Sequence, residues 1–335
     1  MYILVNMTVP EKALISQIRR WTPRTTNSEV RTGIGDDCAV LRLCRQKNER
    51  GKGNDTLVTT DFCLEGVHFR RDWHPPDAIA YRCLARGLSD IAAMGGRPVA
   101  AFLSMALPGN LPRNWAGRFV QSLIKTGESH KVTLAGGDTA ESPHGILLDI
   151  IILGAVPRGG AILRSGARPG DGIYVTGELG GSAAAIRQLD KNPASKIDPS
   201  DYPRHFSPVP RIAVGRAIRE RGLASAMIDT SDGLSTDLAH ICEESGVGAE
   251  LQQDAIPRAI VGKHSGQVDL ELALHGGEDY ELLFTAPPHK RIPRRIAGVP
   301  VTRIGQITGG RKVLLVDAVG IAHKLEARGW EHFRK

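Results

Sequence analysis

Cysteines and aromatic residues are both scarce in this 335-residue sequence. The five cysteines are odd in number, and no two of them form a Cys-x-x-Cys pair. This pattern favours reduced thiols in the cytoplasm over a disulfide scaffold or a zinc site. Aromatic residues make up only 5% of the chain, so it has few rings on which nucleic-acid bases could stack.

Long hydrophobic runs are also absent. The longest, Ile146 to Val156, is interrupted by Asp149 and has the length of a buried strand, so it does not predict a membrane span. The first residues, Met1 to Met7, lack the basic flank of a signal peptide. We therefore expect a cytoplasmic protein that does not interact with a membrane.

The composition is that of a globular protein. With 41% apolar and 24% charged residues, the chain is long enough for two domains of ordinary size. The formal net charge is +7, but the basic residues are scattered, which argues against a nucleic-acid partner and suits polyanionic ligands. The sequence contains no G-x-x-x-x-G-K-[ST], so any nucleotide is bound without a P-loop.

The stretch from Met227 to Leu234 places two acids at a strand-to-helix corner. Ala226 to Ile228 predicts the end of a buried strand, and the apolar spacing from Leu234 predicts a helix that ends near Glu244. Asp232 alone would be interpreted as the N-cap of that helix. Asp229 is different, because a carboxylate that closes a buried strand needs a positive partner.

Aspartates beside Gly, Thr or Ser recur at other predicted corners. Asp36 and Asp37 precede a strand, Asp61 follows a predicted strand Thr56 to Thr60, and Asp138 follows a predicted strand Val132 to Ala135. Asp90 lies in the last turns of a predicted helix, Asp77 to Met94. Each aspartate alone is more often a turn residue, and Asp90 alone could equally be a salt-bridge partner.

Together the corners suggest a metal site. If Asp36, Asp61, Asp90, Asp138, Asp229 and Asp232 converge, their mutual repulsion requires several divalent cations. Oxygen ligands without a His or Cys cluster indicate Mg²⁺ or Mn²⁺. Carboxylate-held metals bridged by phosphates are typical of phosphoryl transfer.

Other elements are predicted from periodicity. They include helices Glu11 to Trp21, Leu111 to Lys131 and Pro210 to Arg221, and a charged hairpin or loop from Arg45 to Asp55. A run of glycine and proline, Pro157-Arg158-Gly159-Gly160, predicts the joint between two domains, residues 1–157 and 158–335.

Several motifs resemble those of the thiamine-monophosphate kinase family. In chain order they are GIGDDCAVL, TTDFCLEGVHF, LSDIAAMGG, GGDT, ILRSGARPGD, IDTSDGLSTDLAHI and GGEDYELLF. The motifs TTDFCLEGVHF and GGEDYELLF distinguish the chain from three other members of the same superfamily. These are aminoimidazole-ribonucleotide synthetase, selenophosphate synthetase and the hydrogenase maturation protein. The sequence departs from the family pattern at Gly87, where Asn is commoner, and in the basic loop Arg45 to Asp55.

The resemblance implies an α/β (α+β) chain with the two-domain aminoimidazole-ribonucleotide synthetase-like fold. The N-terminal domain would bind ATP and metal, and its mixed sheet would pair across a homodimer. The C-terminal α/β sandwich would complete the active site. The implied reaction is MgATP-dependent phosphorylation of thiamine phosphate to thiamine diphosphate, by direct in-line transfer.

The resemblance also implies roles for individual residues. The implied metal ligands are Asp36, Thr59, Thr60, Asp61, Asp90, Asp138, Asp229 and Asp232. The implied ATP contacts are Gly137, Asp138, Arg164 and Ser231, and the implied thiamine phosphate contacts are His68, Glu278 and Trp330. The implied catalytic residues are Asp90, Asp138, Arg164 and Asp232.

Simpler interpretations of the substrate residues remain open. His68 could be a core histidine, Trp330 could pin the C-terminal segment, and Glu278 could face solvent at a turn. Two rival functions also remain: a related ATP-dependent enzyme with another acceptor, and a nucleotide-binding scaffold without catalysis.

Overall fold

The first half of the chain forms one mixed sheet and the second half forms another. The computed structural model describes residues 10–22, 29–43, 53–191, 198–261 and 266–333. Both sheets carry helices, so the expected fold class of two α/β domains is confirmed. Among the described residues, no helix is both long and apolar enough to cross a membrane.

The described part of the first half contains three helices and six strands. They are α1 (Glu11–Trp21), β1 (Val30–Thr32), β2 (Ala39–Leu41), β3 (Asn54–Leu64), α2 (Pro76–Ala93), β4 (Arg97–Leu107), α3 (Trp115–Ser129), β5 (Thr133–Glu141) and β6 (Leu147–Pro157). The strand order is β1-β2-β3-β6-β4-β5. Only β4 and β5 are parallel, because α3 connects them as a crossover.

The second half forms the larger sheet. Its helices are α4 (Gly181–Lys191), α5 (Pro203–Phe206), α6 (Ile212–Glu220), α7 (Leu234–Ser245) and α8 (Leu270–His275), with 3₁₀ turns at Pro199–Asp201 and Gln253–Ala255. Its strands are β7 (Gly172–Thr176), β8 (Ala226–Asp229), β9 (Gly248–Gln252), β10 (Leu282–Ala286), β11 (Arg295–Ile296), β12 (Val299–Thr308), β13 (Val313–Val316) and β14 (Ala322–Lys324). The order is β14-β13-β9-β12-β7-β10-β8, and β11 pairs with β12.

Helix α2 packs against both halves of the protein. Most of its residues are buried, so it lacks the polar face of a surface helix. On one side Gly87 allows close approach to the first sheet, because a Cβ there would lie 2.6 Å from Ile152 Cγ1. On the other side Ala92 and Ala93 pack in one apolar cluster with residues of α6 and β10, including Ile218 and Phe284. One helix therefore packs against strands of both sheets.

The sequence predicted α1, the β8 strand and α7 with bounds close to those observed. The expected ends of two strands are wrong. Strand β3 continues through Asp61 to Leu64, because β6 pairs with it along its whole length. Strand β5 continues through Gly136 to Glu141, because the pairing with β4 resumes after a register shift.

Two further expectations concern loops and helix ends. Helix α3 begins at Trp115, later than the expected Leu111, and ends at Ser129. Of the expected charged hairpin or loop Arg45 to Asp55, residues 45–52 lie outside the described residues. Its final residues belong to β3, where Asp55 accepts a 2.7 Å bond from Arg42 Nε.

A buried polar cluster connects α2 to α5. Arg82 Nη1 donates to the His205 carbonyl, and the Nε2 atoms of His205 and His74 lie 3.2 Å apart. Ser182 of α4 also reaches His205 Nδ1, at 3.0 Å. Burial, and then the charge of Arg82, lower the pKa of His74 to about 3. His74 is therefore neutral in the folded protein at neutral pH.

This cluster predicts acid sensitivity. Between about pH 6.5 and about pH 3 the unfolded chain binds a proton at His74 that the folded chain does not. His74 therefore lowers the free energy of unfolding as pH falls, by at most about 1.4 kcal/mol per pH unit. We expect His74→Gln to flatten this dependence in urea denaturation, while His289→Gln, at an exposed site, preserves it. An unchanged slope in His74→Gln would contradict the assignment.

Candidate active site

A pocket of about 1310 Å³ lies between the two domains. Strand β3 and helix α2 line it from the first half, and the segments after β8 and before β10 line it from the second. Most of the residues expected at the site line this one pocket. They are Asp36, Thr59, Thr60, Asp61, His68, Asp90, Arg164, Asp229, Ser231, Asp232, Glu278 and Trp330.

An acidic cluster forms one wall of the pocket. Asp37, Asp90 and Asp229 each offer a carboxylate oxygen, and these atoms all lie within 4.8 Å of one another. The Thr59 hydroxyl donates to Asp90, and Ser89 Oγ donates to Asp229 at 2.6 Å. The salt-bridge interpretation of Asp90 finds no support, since no described Lys, Arg or His nitrogen pairs with it. The sequence had placed Asp37 at the corner but had not made it a ligand.

The cluster is electrostatically costly without a cation. Burial first, and then the charge of Asp37, raise the pKa of Asp229 to about 8. Burial also raises the pKa of Asp37, Asp61 and Asp90. Within the described residues, Asp37 Oδ2 and Asp61 Oδ2 are buried and lack a hydrogen-bond donor. Buried carboxylates with spare oxygens fit a hard divalent cation such as Mg²⁺.

Arg164 is the cation nearest one end of the cluster. Its backbone N–H donates to Asp36 Oδ1 at 2.6 Å, and its Nη2 donates to Asp37 Oδ1 at 2.7 Å. Burial raises the pKa of Asp36 to about 6. Arg164 Nε is buried and has no acceptor among the described residues. The guanidinium therefore anchors on Asp37 and retains a donor for a ligand.

The N-cap interpretation of Asp232 is wrong. The N-cap of α7 is Gly233, which no side chain caps, and its N–H donates to Asp237 Oδ2 at 3.0 Å. The side chain of Asp232 lines the pocket instead, and burial raises its pKa to about 6. Its carbonyl accepts the Trp330 N–H at 2.9 Å, which brings the C-terminal segment to the pocket.

The loop before β10 is strained. Glu278 and Tyr280 have φ values of 65° and 51°, in the left-handed region that non-glycine residues rarely adopt. The Glu278 N–H donates to the Ser231 carbonyl at 2.8 Å, and the Tyr280 N–H donates to the Thr230 carbonyl at 2.9 Å. Such strain is concentrated at functional sites. Glu278 does not simply face solvent, because it accepts a 2.7 Å bond from Arg82.

Aromatic rings line the opposite side of the pocket. His68 is buried, its Nδ1 accepts the Leu64 N–H at 3.0 Å, and burial together with the Arg86 charge lowers its pKa to about 2. It is therefore neutral, with its proton on Nε2. The ring of His332 contacts both His68 and Trp330 edge-on, at centroid distances of 5.6 and 5.7 Å. His332 was not foreseen, although it lies in the aromatic tail beside Trp330.

Gly137 and Asp138 do not line this pocket. They lie on β5, an exposed edge strand, where Asp138 pairs with Ser104. Asp149 lies opposite Ser104 on the next strand and accepts a 2.7 Å bond from Thr60 Oγ1. Alternation along β3 thus places the Thr60 side chain on the opposite face from Asp61. Within a single chain, five of the six expected aspartates line the pocket and Asp138 does not.

Comparisons with known proteins agree with this architecture. The family described as AIR synthase related protein, N-terminal domain, matches residues 35–156, and its C-terminal domain matches residues 168–317. Thiamine-monophosphate kinase of Salmonella typhimurium is 40% identical over 330 residues, which cover 95% of this chain and 97% of the relative. The enzyme of Escherichia coli K12 is 39% identical, with the same coverage. A structure of AaThiL complexed with AMPPCP and TMP has a TM-score of 0.80 at 31% identity and covers 96% of this chain and 97% of that one.

The acidic cluster predicts stabilisation by Mg²⁺. A ligand at one hundred times its dissociation constant adds about 2.7 kcal/mol to the free energy of unfolding, which raises Tm by roughly 5 °C. We expect EDTA to remove this increment. Asp229→Asn should lose most of it, whereas Asp269→Asn, at a surface ion pair, should keep it. Equal increments in both variants would argue against a metal site at the cluster.

Proposed function

Because the chain belongs to the thiamine-monophosphate kinase family, we propose that it transfers the γ-phosphoryl group of ATP to thiamine phosphate, forming thiamine diphosphate and ADP. The observation that carries this proposal is the pocket itself, in which Asp90 and Asp229 face the same cavity as His68 and Trp330. The curated relatives are named for this activity, and AaThiL has been solved with AMPPCP and TMP.

The domain roles and the ligand set follow from this proposal. Residues 1–157 bind ATP and metal, residues 158–335 complete the site, and the enzyme works in the cytoplasm. Bound Mg²⁺ neutralises charge on the phosphates of both reactants. The metal ligands are Asp36, Asp37, Thr59, Thr60, Asp61, Asp90, Asp138, Asp229 and Asp232. Asp37 joins the set because it belongs to the acidic cluster.

No catalytic base is needed. The acceptor oxygen belongs to a phosphate monoester that is already ionised at neutral pH. The obstacle is repulsion between two anions, which amounts to several kcal/mol in surroundings poor in water. Arg164, anchored on Asp37, donates to the phosphates of ATP together with Gly137 and Ser231. Transfer is direct and in line, and no phosphoenzyme forms.

The aromatic side of the pocket binds the organic part of the acceptor. Trp330 is half-exposed, so its ring is free to stack on the cationic thiazolium or on the aminopyrimidine. Neutral His68 presents an Nε2–H donor. Glu278, which accepts a hydrogen bond from Arg82, places its negative charge near the positive charge of the substrate. On this proposal the three residues contact the substrate in addition to their simpler roles as core histidine, C-terminal pin and turn residue.

The active unit is a homodimer whose N-terminal sheets pair. The edge strand β5 is almost entirely exposed, and Phe62, Val99 and Leu147 expose apolar side chains on the same sheet. Exposed edges of this length are usually covered in native proteins. A second copy of the chain covers this surface, and Asp138 then reaches the pocket of the partner subunit.

A direct assay tests the reaction. We expect thiamine phosphate and MgATP to yield thiamine diphosphate, followed by fluorescence after oxidation, and EDTA to stop it. ADP release measured across other phosphate and amide acceptors tests the related-enzyme alternative. If no acceptor is phosphorylated, the alternative of a nucleotide-binding scaffold without catalysis would be favoured. A ³²P-labelled covalent intermediate trapped on the protein would contradict direct transfer.

The dimer proposal has its own test. Asp138→Asn and Asp229→Asn chains, each with a different N-terminal tag, are co-expressed and the mixed dimer is purified. If Asp138 acts in the site of the partner subunit, the mixed dimer retains one intact site and about half the wild-type activity. Each homodimeric variant should be nearly inactive. An inactive mixed dimer would place Asp138 in the site of its own chain.

A further inference from the structure

Two arginines on α2 reach the strained loop before β10, and their surroundings differ. Arg82 is buried, with 2% of its side chain exposed. Its Nη1 donates to the His205 carbonyl, and its Nη2 donates to the His68 carbonyl at 3.1 Å and to Glu278 at 2.7 Å. Arg82 therefore ties the two domains together through bonds within the protein.

Arg86, one turn further along α2, is far less satisfied. Its Nη1 donates to the Tyr280 hydroxyl at 3.0 Å. The nearest carboxylate oxygens, Glu278 Oε1 and Asp61 Oδ1, lie 3.5 and 3.6 Å away, beyond the range of a good hydrogen bond. Its Nε is buried and has no acceptor among the described residues. Of the five N–H donors of a guanidinium, one makes a short bond within the described structure.

The position of Arg86 indicates what the free donors bind. The side chain is 17% exposed and lines the pocket. On one side is Asp61, a proposed metal ligand, and on the other are Glu278 and Tyr280, on the proposed substrate side. A phosphate monoester that connects the organic part of the acceptor to the metals must cross this space. The planar fork of an arginine matches two phosphate oxygens.

We propose that Arg86 donates to the phosphate of the acceptor and makes the pocket specific for thiamine phosphate over unphosphorylated thiamine. This inference rests on the proposed function. It assigns to Arg86 a role distinct from that of Arg164, which lies at the other end of the acidic cluster beside Asp37. Arg86 also places a fixed positive charge where the two anionic reactants meet.

Alternatively, Arg86 has only a structural role. Through Tyr280 and Glu278 it could hold the strained loop in place without contacting the ligand. A loop that is out of place would weaken binding of thiamine and of thiamine phosphate alike. Loss of a phosphate contact weakens only the phosphorylated ligand. Comparing the two ligands therefore separates the two roles.

The experiment is calorimetric titration of Arg86→Gln, Arg86→Met and wild type with thiamine phosphate and with thiamine, in buffer containing Mg²⁺. We expect Arg86→Gln to lose about ten-fold or more in affinity for thiamine phosphate and to keep its affinity for thiamine. The KM for thiamine phosphate should rise while the KM for ATP stays constant. Arg118→Gln, which removes the same charge at a surface ion pair on α3, should match the wild type.

Three results would overturn the inference. They are an equal loss for both ligands, an unchanged affinity for thiamine phosphate, and an effect confined to ATP. If Arg86→Gln does not fold, Arg86→Met decides, because methionine has no N–H donor, and wild-type affinity for thiamine phosphate would refute the contact. If wild-type protein itself neither binds nor phosphorylates thiamine phosphate, the proposed function fails, which is a different result from failure of Arg86 alone.

Discussion

Repulsion among buried carboxylates is the constraint on which this structure depends. Asp37, Asp90 and Asp229 come from three distant parts of the sequence and meet in the wall of the pocket, where Asp37 and Asp229 are buried and Asp90 is half-buried. Neutral hydroxyls of Thr59 and Ser89 orient two of them, but hydroxyls supply no charge. Folding therefore produces a centre whose negative charge is costly. Arg164 offsets that charge at Asp37, and a proton or a divalent cation can offset it at Asp90 and Asp229. The divalent cations that we propose as its ligands would offset this cost, for which packing offers no compensation.

The helix α2 supplies the groups that face this centre. Arg82, Arg86 and Asp90 follow one another at intervals of four residues and so lie on one face of the helix. Along that face the surroundings change from the domain interface, through the proposed substrate side of the pocket, to the acidic cluster. The same helix carries Gly87 and the alanines that pack against both cores. One helix therefore both lines the pocket and packs the two domains together.

The sequence predicted what depends on local pattern. The strong periodicity of α1 and α7 defined their bounds, and the polar corners identified most of the residues that line the pocket. It did not reveal β4, because its apolar run lacks the alternation that marks a strand. It named Asp36 and not its neighbour Asp37 as a ligand, because only the turn before β2 decides which of the two carboxylates joins the cluster. The four-residue spacing of Arg82, Arg86 and Asp90 was a signal that could have been found.

The double packing of α2 has a consequence for dissecting the protein. A fragment cut at the joint after Pro157 would keep α2 but lose α6 and β10, which cover Ala92 and Ala93. That fragment would expose the apolar surface of α2 to water and would lose the partners of Arg82 at the same time. The halves are thus separate as sheets yet inseparable as folding units, and neither can be studied or exchanged between relatives as a free-standing module.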